Sequence, residues 1–202
     1  MRNPAGELTR FRSREAFSRV PFMLMEQDMR LEQLVSELIG KLKSESVADD
    51  RVHMLRLLQQ WLELHLTRWN AETRARWSLE SYASMDLGRY PIDEASLRPS
   101  EEVRQLDSVR PTTMDILGMR LRDIFWAGIT LESEVTCPRC EERQLRILQD
   151  EQLDRIVLSC DLCAWSQFPE GQPWKGTQFL KPAPKERIAR WRSEAKSGRG
   201  RV

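Results

Sequence analysis

The chain has 202 residues, 40% of them hydrophobic and 31% charged, with a mean hydropathy of −0.57. That composition is ordinary for a globular protein of one or two domains and is long enough to bury a real core. No run of apolar residues reaches the length of a membrane span, so no membrane role is expected. The net charge of +1 excludes a strongly polycationic or polyanionic protein as a whole, but it conceals an uneven distribution. Residues 1–20 hold five basic and two acidic side chains, residues 21–131 hold 14 and 18, residues 132–168 hold four and eight, and residues 169–202 hold nine and three. Basic ends flank an acidic middle.

Residues 1–20 carry arginines without an apolar signal core and read as a flexible arm on a cytoplasmic protein. A helix is expected from Phe22, because Leu31, Leu34, Leu38 and Leu42 recur at intervals of three and four, with Val35 and Ile39 beside them. Asp49 or Asp50 caps a second helix whose stripe is Leu55, Leu58, Leu62, Leu66 and Trp69. Its helical tendency runs on through Trp77 and Tyr82 after a bend near Asn70. Together the two helices predict an antiparallel hairpin. Residues 86–111, punctuated by Gly88, Pro91, Pro99 and Pro111, form a connector with a short helix at Glu101 and Glu102. Thr112 or Thr113 then caps a third helix, with Met114, Leu117, Leu121, Ile124 and Phe125 on one face and Gly128 as its stop.

Beyond residue 130 the period changes to that of strands, at 131–136, 144–149 and 155–159, with Asp150 and Glu151 at the turn between the last two. After Pro169 the chain is broken by glycine and proline up to Pro184. A basic amphipathic helix follows around Ile188 and Trp191, and residues 197–202 should be disordered. The expected organisation is α+β: a flexible arm (1–20), a helical domain of three main helices (21–130), a β-rich segment (131–170) and a basic extension (171–202).

All four cysteines fall in the β-rich segment, as Cys137-Pro-Arg-Cys140 and, after 19 residues, Cys160-Asp-Leu-Cys163. A Cys-x-x-Cys pair fits a tight turn that aims both sulfurs at one point, and two such turns make a tetrahedral S₄ shell that suits one structural Zn²⁺. Thiolates in that geometry also accept iron. Two disulfides fit a secreted chain better, and a redox Cys-x-x-Cys stands alone on a βαβ unit. With four protein ligands the site is closed and does not activate water.

Residues 132–168 resemble a zinc ribbon, in which two cysteine knuckles at the ends of β-hairpins pinch one zinc ion; Pro138 and the apolar strand running into Cys160 carry the resemblance. Many ribbons place glycine after each second cysteine, where the backbone turns left-handed. This chain has Glu141 and Ala164 there, so slightly irregular knuckles are expected. The resemblance implies nucleic-acid binding as a common role. The charge of the segment argues against it, since only Arg139, Arg143, Arg146 and Arg155 are available to phosphate. The basic extension is an alternative contact.

The remaining chemistry is sparse. His53 and His65 are twelve residues apart, about 120° around a helix, and cannot share a metal. His53 reads as a solvated first-turn residue, and Glu63 near His65 as ordinary helix surface. No phosphate loop and no nucleophile or zinc-protease motif occurs. Trp61, Trp69 and Trp77 spiral rather than align; Trp165 is expected to pack over the metal, Trp174 and Trp191 are either pinned to the body or available as interface anchors, and the candidate partner contacts are Arg139, Arg143, Trp165, Trp174 and Trp191. The expectation is a non-enzymatic zinc-binding protein acting by protein–protein contact, by analogy with bacterial toxin-neutralising (immunity-type) proteins. The alternative is a nucleic-acid-associated regulator using the ribbon and the tail.

Overall fold

The computed structural model describes residues 20–44 and 50–197, with side chains from Leu31 onward. Of the segments expected to be mobile, residues 1–19 and 198–202 lie outside the described residues, as does the candidate cap Asp49, whereas Ser197 ends the last helix. The architecture is α+β: helices occupy the N-terminal two thirds, and an antiparallel sheet with one terminal helix follows. No described helix is long and apolar enough to cross a membrane.

Helix α1 (Val20–Ser44) places Leu31, Leu34, Val35, Leu38, Ile39 and Leu42 in the core. Asp50 caps α2 (Arg51–His65) by accepting the backbone N–H of His53 at 2.8 Å. The helical run breaks sooner than the periodicity predicts. A 3₁₀ turn at Leu66–Arg68 ends α2, and Asn70 restarts the chain as α3 (Ala71–Arg76) by accepting the N–H of Thr73 at 2.8 Å. The break lets Trp69 return against Trp61 edge to face, with ring centroids 6.1 Å apart, and both indoles are buried. Ser78 (φ 54°) turns the chain into α4 (Leu79–Ser84). Pro99 opens α5 (Pro99–Ser108), a helix the connector was expected to contain.

Thr113 caps α6 (Met114–Ile129) through the N–H of Ile116. Gly128 does not stop this helix. It is a packing position, because a Cβ there would lie 2.7 Å from Cδ1 of Leu55 and 3.1 Å from Cδ2 of Leu97. His65 also departs from a surface reading. It is buried on α2, and its Nε2 meets Oε1 of Glu37 on α1 at 2.9 Å.

One residue beyond α6, β1 (Leu131–Thr136) begins the sheet. Strands β2 (Gln144–Asp150), β3 (Arg155–Ser159) and β4 (Ser166–Gln167) follow in order, each antiparallel to the last. A short β5 (Lys181–Pro182) pairs with Leu148 and Gln149 of β2, beyond the end of β1. Helix α7 (Lys185–Lys196) then packs on β3.

The apolar interior falls into two clusters. The larger joins α1, α2, α4, α5 and α6, and the smaller joins Leu131, Leu145, Ile147, Ile156 and Leu158 of the sheet to Cys137, Cys160, Ala183, Ile188 and Ala95. Neighbouring residues of a strand face opposite sides. Arg146, Leu148 and Asp150 therefore share the face of the hairpin that points away from this smaller cluster.

Candidate metal centre

Each cysteine pair sits in a tight turn, and the two turns repeat one backbone pattern. In the first, the N–H of Cys137 donates to the carbonyl of Arg143 at 2.8 Å, and the N–H of Glu141 donates to the carbonyl of Cys137 at 2.9 Å. In the second, Cys160 donates to Trp165 at 2.8 Å and Ala164 to Cys160 at 3.0 Å. Glu141 (φ 56°) and Ala164 (φ 55°) both take the left-handed conformation that glycine would adopt without cost. The irregularity expected from the missing glycines is thus absent: the turns keep a common geometry with strained residues in the left-handed positions.

The β2–β3 hairpin brings the turns together. Arg146 stands opposite Ser159, which places the chain leaving the first turn beside the chain entering the second. All four Sγ atoms lie within 4.8 Å of one another, with Cys137–Cys163 at 3.5 Å and Cys140–Cys160 at 3.7 Å. A metal–sulfur bond of about 2.3 Å in a tetrahedron requires sulfur–sulfur edges of about 3.8 Å. These four residues could hold a metal ion. Cys137 and Cys160 are buried, and Cys140 and Cys163 are half-buried.

Electrostatics point the same way. Burial pushes the Cys137 thiol up, but the backbone N–H groups of Cys140 and Arg139, with the neighbouring thiols, bring it down to about 7. At Cys163 the N–H of Trp165 lowers the thiol, while burial and the three other sulfurs more than reverse this and carry it to about 12. At Cys140 the N–H of Glu142 is likewise outweighed by burial and by Cys137 and Cys160. The Cys137 thiol is thus lowered while those of Cys140 and Cys163 are raised. A divalent cation at the centre offsets that rise, since a coordinating thiol is deprotonated outright.

The second turn is also tied to the helical body. Asp161 accepts Nε of Arg146 at 2.6 Å and Nε1 of Trp126, on α6, at 3.4 Å. Arg146 also donates to Thr130 Oγ1 at 3.2 Å and pairs with Glu132 at 3.3 Å. Of the four arginines in the segment, Arg146 is therefore consumed internally. Arg155, at the opposite end of the hairpin, pairs with Glu170 at 3.1 Å and lies over the ring of Phe168. Arg139 and Arg143 are exposed and make no ion pair among the described residues.

Between the turns lies an open groove of about 500 Å³, lined by Glu132, Glu142, Arg143, Gln144, Arg146, Asp161 and Leu162. Leu162 is 55% exposed, and Val135 on β1 is also exposed.

Trp165, Trp174 and Trp191 are all half-buried. Trp165 borders the small core together with Cys140 and Cys163, and its Nε1 donates to Gln167 at 3.0 Å. Trp191, on α7, packs against the same core. Trp174 donates its Nε1 to Oδ2 of Asp150 at 2.9 Å.

Asp150 is the residue that sequence reasoning missed. It is fully buried and accepts from Trp174 and Gln178 at one oxygen and from the N–H groups of Gln152 and Leu153 at the other. Burial alone would raise its carboxyl, but these hydrogen bonds outweigh it and hold the group below the usual carboxylate range. Its only sequence signal was a position at a hairpin turn, which acidic residues occupy for many local reasons. No family model, curated protein or solved structure matches the chain.

Proposed function

We propose that this chain is a non-enzymatic zinc-binding protein that works by contact with a protein partner. Its four cysteines hold one structural Zn²⁺ in the manner of a zinc ribbon, and the toxin-neutralising type is the reading favoured for the whole. The supporting observation is the groove between the cysteine turns, lined by the exposed Leu162 together with Glu132, Glu142, Asp161, Arg143 and Arg146, of which Glu142 and Arg143 make no ion pair among the described residues. An exposed apolar side chain within a charged rim of both signs suits a protein surface of complementary charge. The cysteines contribute rigidity: the small sheet buries too little apolar area to hold two reversing turns in place unaided, and a fully ligated ion fixes both.

The nucleic-acid reading rests on Arg139, Arg143 and the basic α7. It is the weaker one, because Arg146 and Arg155 are already paired with carboxylates and phosphate contact needs free cations. The test is co-expression of the full chain with the product of each neighbouring gene, followed by co-purification and growth rescue. A stable complex and rescue, both lost with Leu162→Asp, are expected. Co-purification of nucleic acid in place of a protein, released steeply by salt, would overturn the reading in favour of the alternative.

A further inference from the structure

Phe179 is 94% exposed, more than any other large apolar side chain among the described residues. Its loop is nevertheless tied down on both sides. Gln178, just before it, donates its side-chain amide to Oδ2 of Asp150, and Lys181, two residues after it, pairs in register with Gln149 of β2. Trp174 donates to the same Oδ2, and its backbone N–H bonds the carbonyl of Ser166 at 3.0 Å. Gly176 closes the loop against the Trp174 ring so tightly that a Cβ there would lie 2.3 Å from it.

The other oxygen of Asp150 holds the β2–β3 turn through Gln152 and Leu153, and Leu153 is 55% exposed. One buried carboxylate thus fixes two loops, and each presents an apolar side chain to water. Burying a carboxylate is costly, and holding a phenylalanine in solvent gives the free protein nothing in return. A preorganised aromatic does strengthen association, because little conformational freedom remains to be lost on binding.

Charge indicates what such an anchor would meet. Residues 171–185 contain Lys175, Lys181 and Lys185 and no acidic residue. Lys181 is engaged by Glu151 at 2.6 Å, while Lys175 and Lys185 make no ion pair among the described residues. A stacked nucleic-acid base would use Phe179, but Leu153 has no aromatic face to offer a second base, and the carboxylates at its turn are already paired, Glu151 with Lys181 and Asp154 with Arg187 and Arg190, which leaves Lys175 and Lys185 as the uncompensated charges.

We propose that Phe179, with Leu153 on the loop tied to the same carboxylate, anchors a protein-docking surface whose partner offers an apolar pocket with an acidic rim. The surface lies at the Asp150 end of β2, whereas Gln144 at the other end lines the groove between the cysteine turns. Six residues of strand separate them, about 20 Å. The inference therefore stands apart from the groove reading above.

The experiment places the photocrosslinker p-benzoylphenylalanine at position 179 of the full chain in the cells that make it. Any protein adduct is identified, and that protein is then purified and titrated against wild type, Phe179→Ala, Lys175→Glu/Lys185→Glu and Leu162→Asp. Expected are a discrete protein adduct and affinity lowered about tenfold or more by Phe179→Ala and by the double charge reversal. The melting temperature of Phe179→Ala should equal that of wild type. Absence of an adduct, an adduct to nucleic acid, or equal affinity of Phe179→Ala would overturn the proposal. Binding lost with Leu162→Asp and kept with Phe179→Ala would overturn it too, and would leave the groove reading intact.

Discussion

Arg146 and Asp161 join the first hydrogen-bonded strand pair to the second cysteine turn, with Nε and Oδ2 2.6 Å apart. The Arg146 side chain is only 13% exposed and also engages Glu132 and Thr130, so its guanidinium serves the fold and not an outside phosphate. Replacing Arg146 with Met should destabilise the protein by about 1–2 kcal/mol, since the lost bonds are charge-assisted but Glu132 and Asp161 remain partly hydrated. Denaturant unfolding measures this, and nonspecific DNA affinity should not change. A drop in DNA affinity would return Arg146 to the list of phosphate contacts.

Cys160→Ser should abolish bound metal and lower the melting temperature together, because Cys160 is buried within the set of four sulfurs. Elemental analysis of the purified variant gives the stoichiometry and the element. Full metal content in this variant would refute the ligand assignment. Chelation of the wild type should reproduce the same loss of stability, and acidification should release the metal as protons compete for the thiolates.

Asp150→Ala should cost about 2–4 kcal/mol, since four donors lose their acceptor in a buried site. The wild type carries a pH signature of the same bond set. The Asp150 carboxyl is held below its unfolded value, so its contribution is complete above about pH 4 and is lost as the pH falls through the folded value. Acid titration of unfolding free energy should therefore show a decline below about pH 4 that the Asp150→Asn variant shows less of.

Glu141→Gly and Ala164→Gly should each stabilise the fold by about 0.5–1 kcal/mol, because both residues occupy positive φ where a Cβ is unfavourable. The gain is limited by the greater freedom of glycine in the unfolded chain. Paired denaturation curves at saturating zinc decide it. A loss of stability in both variants would mean that the left-handed turns carry no strain.

Gly128→Ala should act in the opposite sense to a usual helix substitution. Alanine favours helix, yet its methyl group would overlap Leu55 and crowd Leu97, so a net loss of about 1–3 kcal/mol is expected.

Much of this protein is written locally in its sequence. The three strands were legible at 131–136, 144–149 and 155–159, the second running one residue further to Asp150, the caps at Asp50 and Thr113 from their side chains, and the cysteine cluster from spacing alone. In each case the signal and the structure span the same few residues, and the Cys-x-x-Cys turn needs only a second copy to complete a ligand shell. What tertiary structure decided is which residue pairs with which distant one. Trp69 leaves its helix to meet Trp61, Gly128 makes room for Leu55, and His65 finds Glu37 on another helix. Asp150 gathers Trp174 and Gln178 from beyond the sheet, and only then is Phe179 left facing water on a fixed loop. Side-chain periodicity reports a face and not a partner, so the cysteines announced themselves while the carboxylate that organises the other end of the sheet did not.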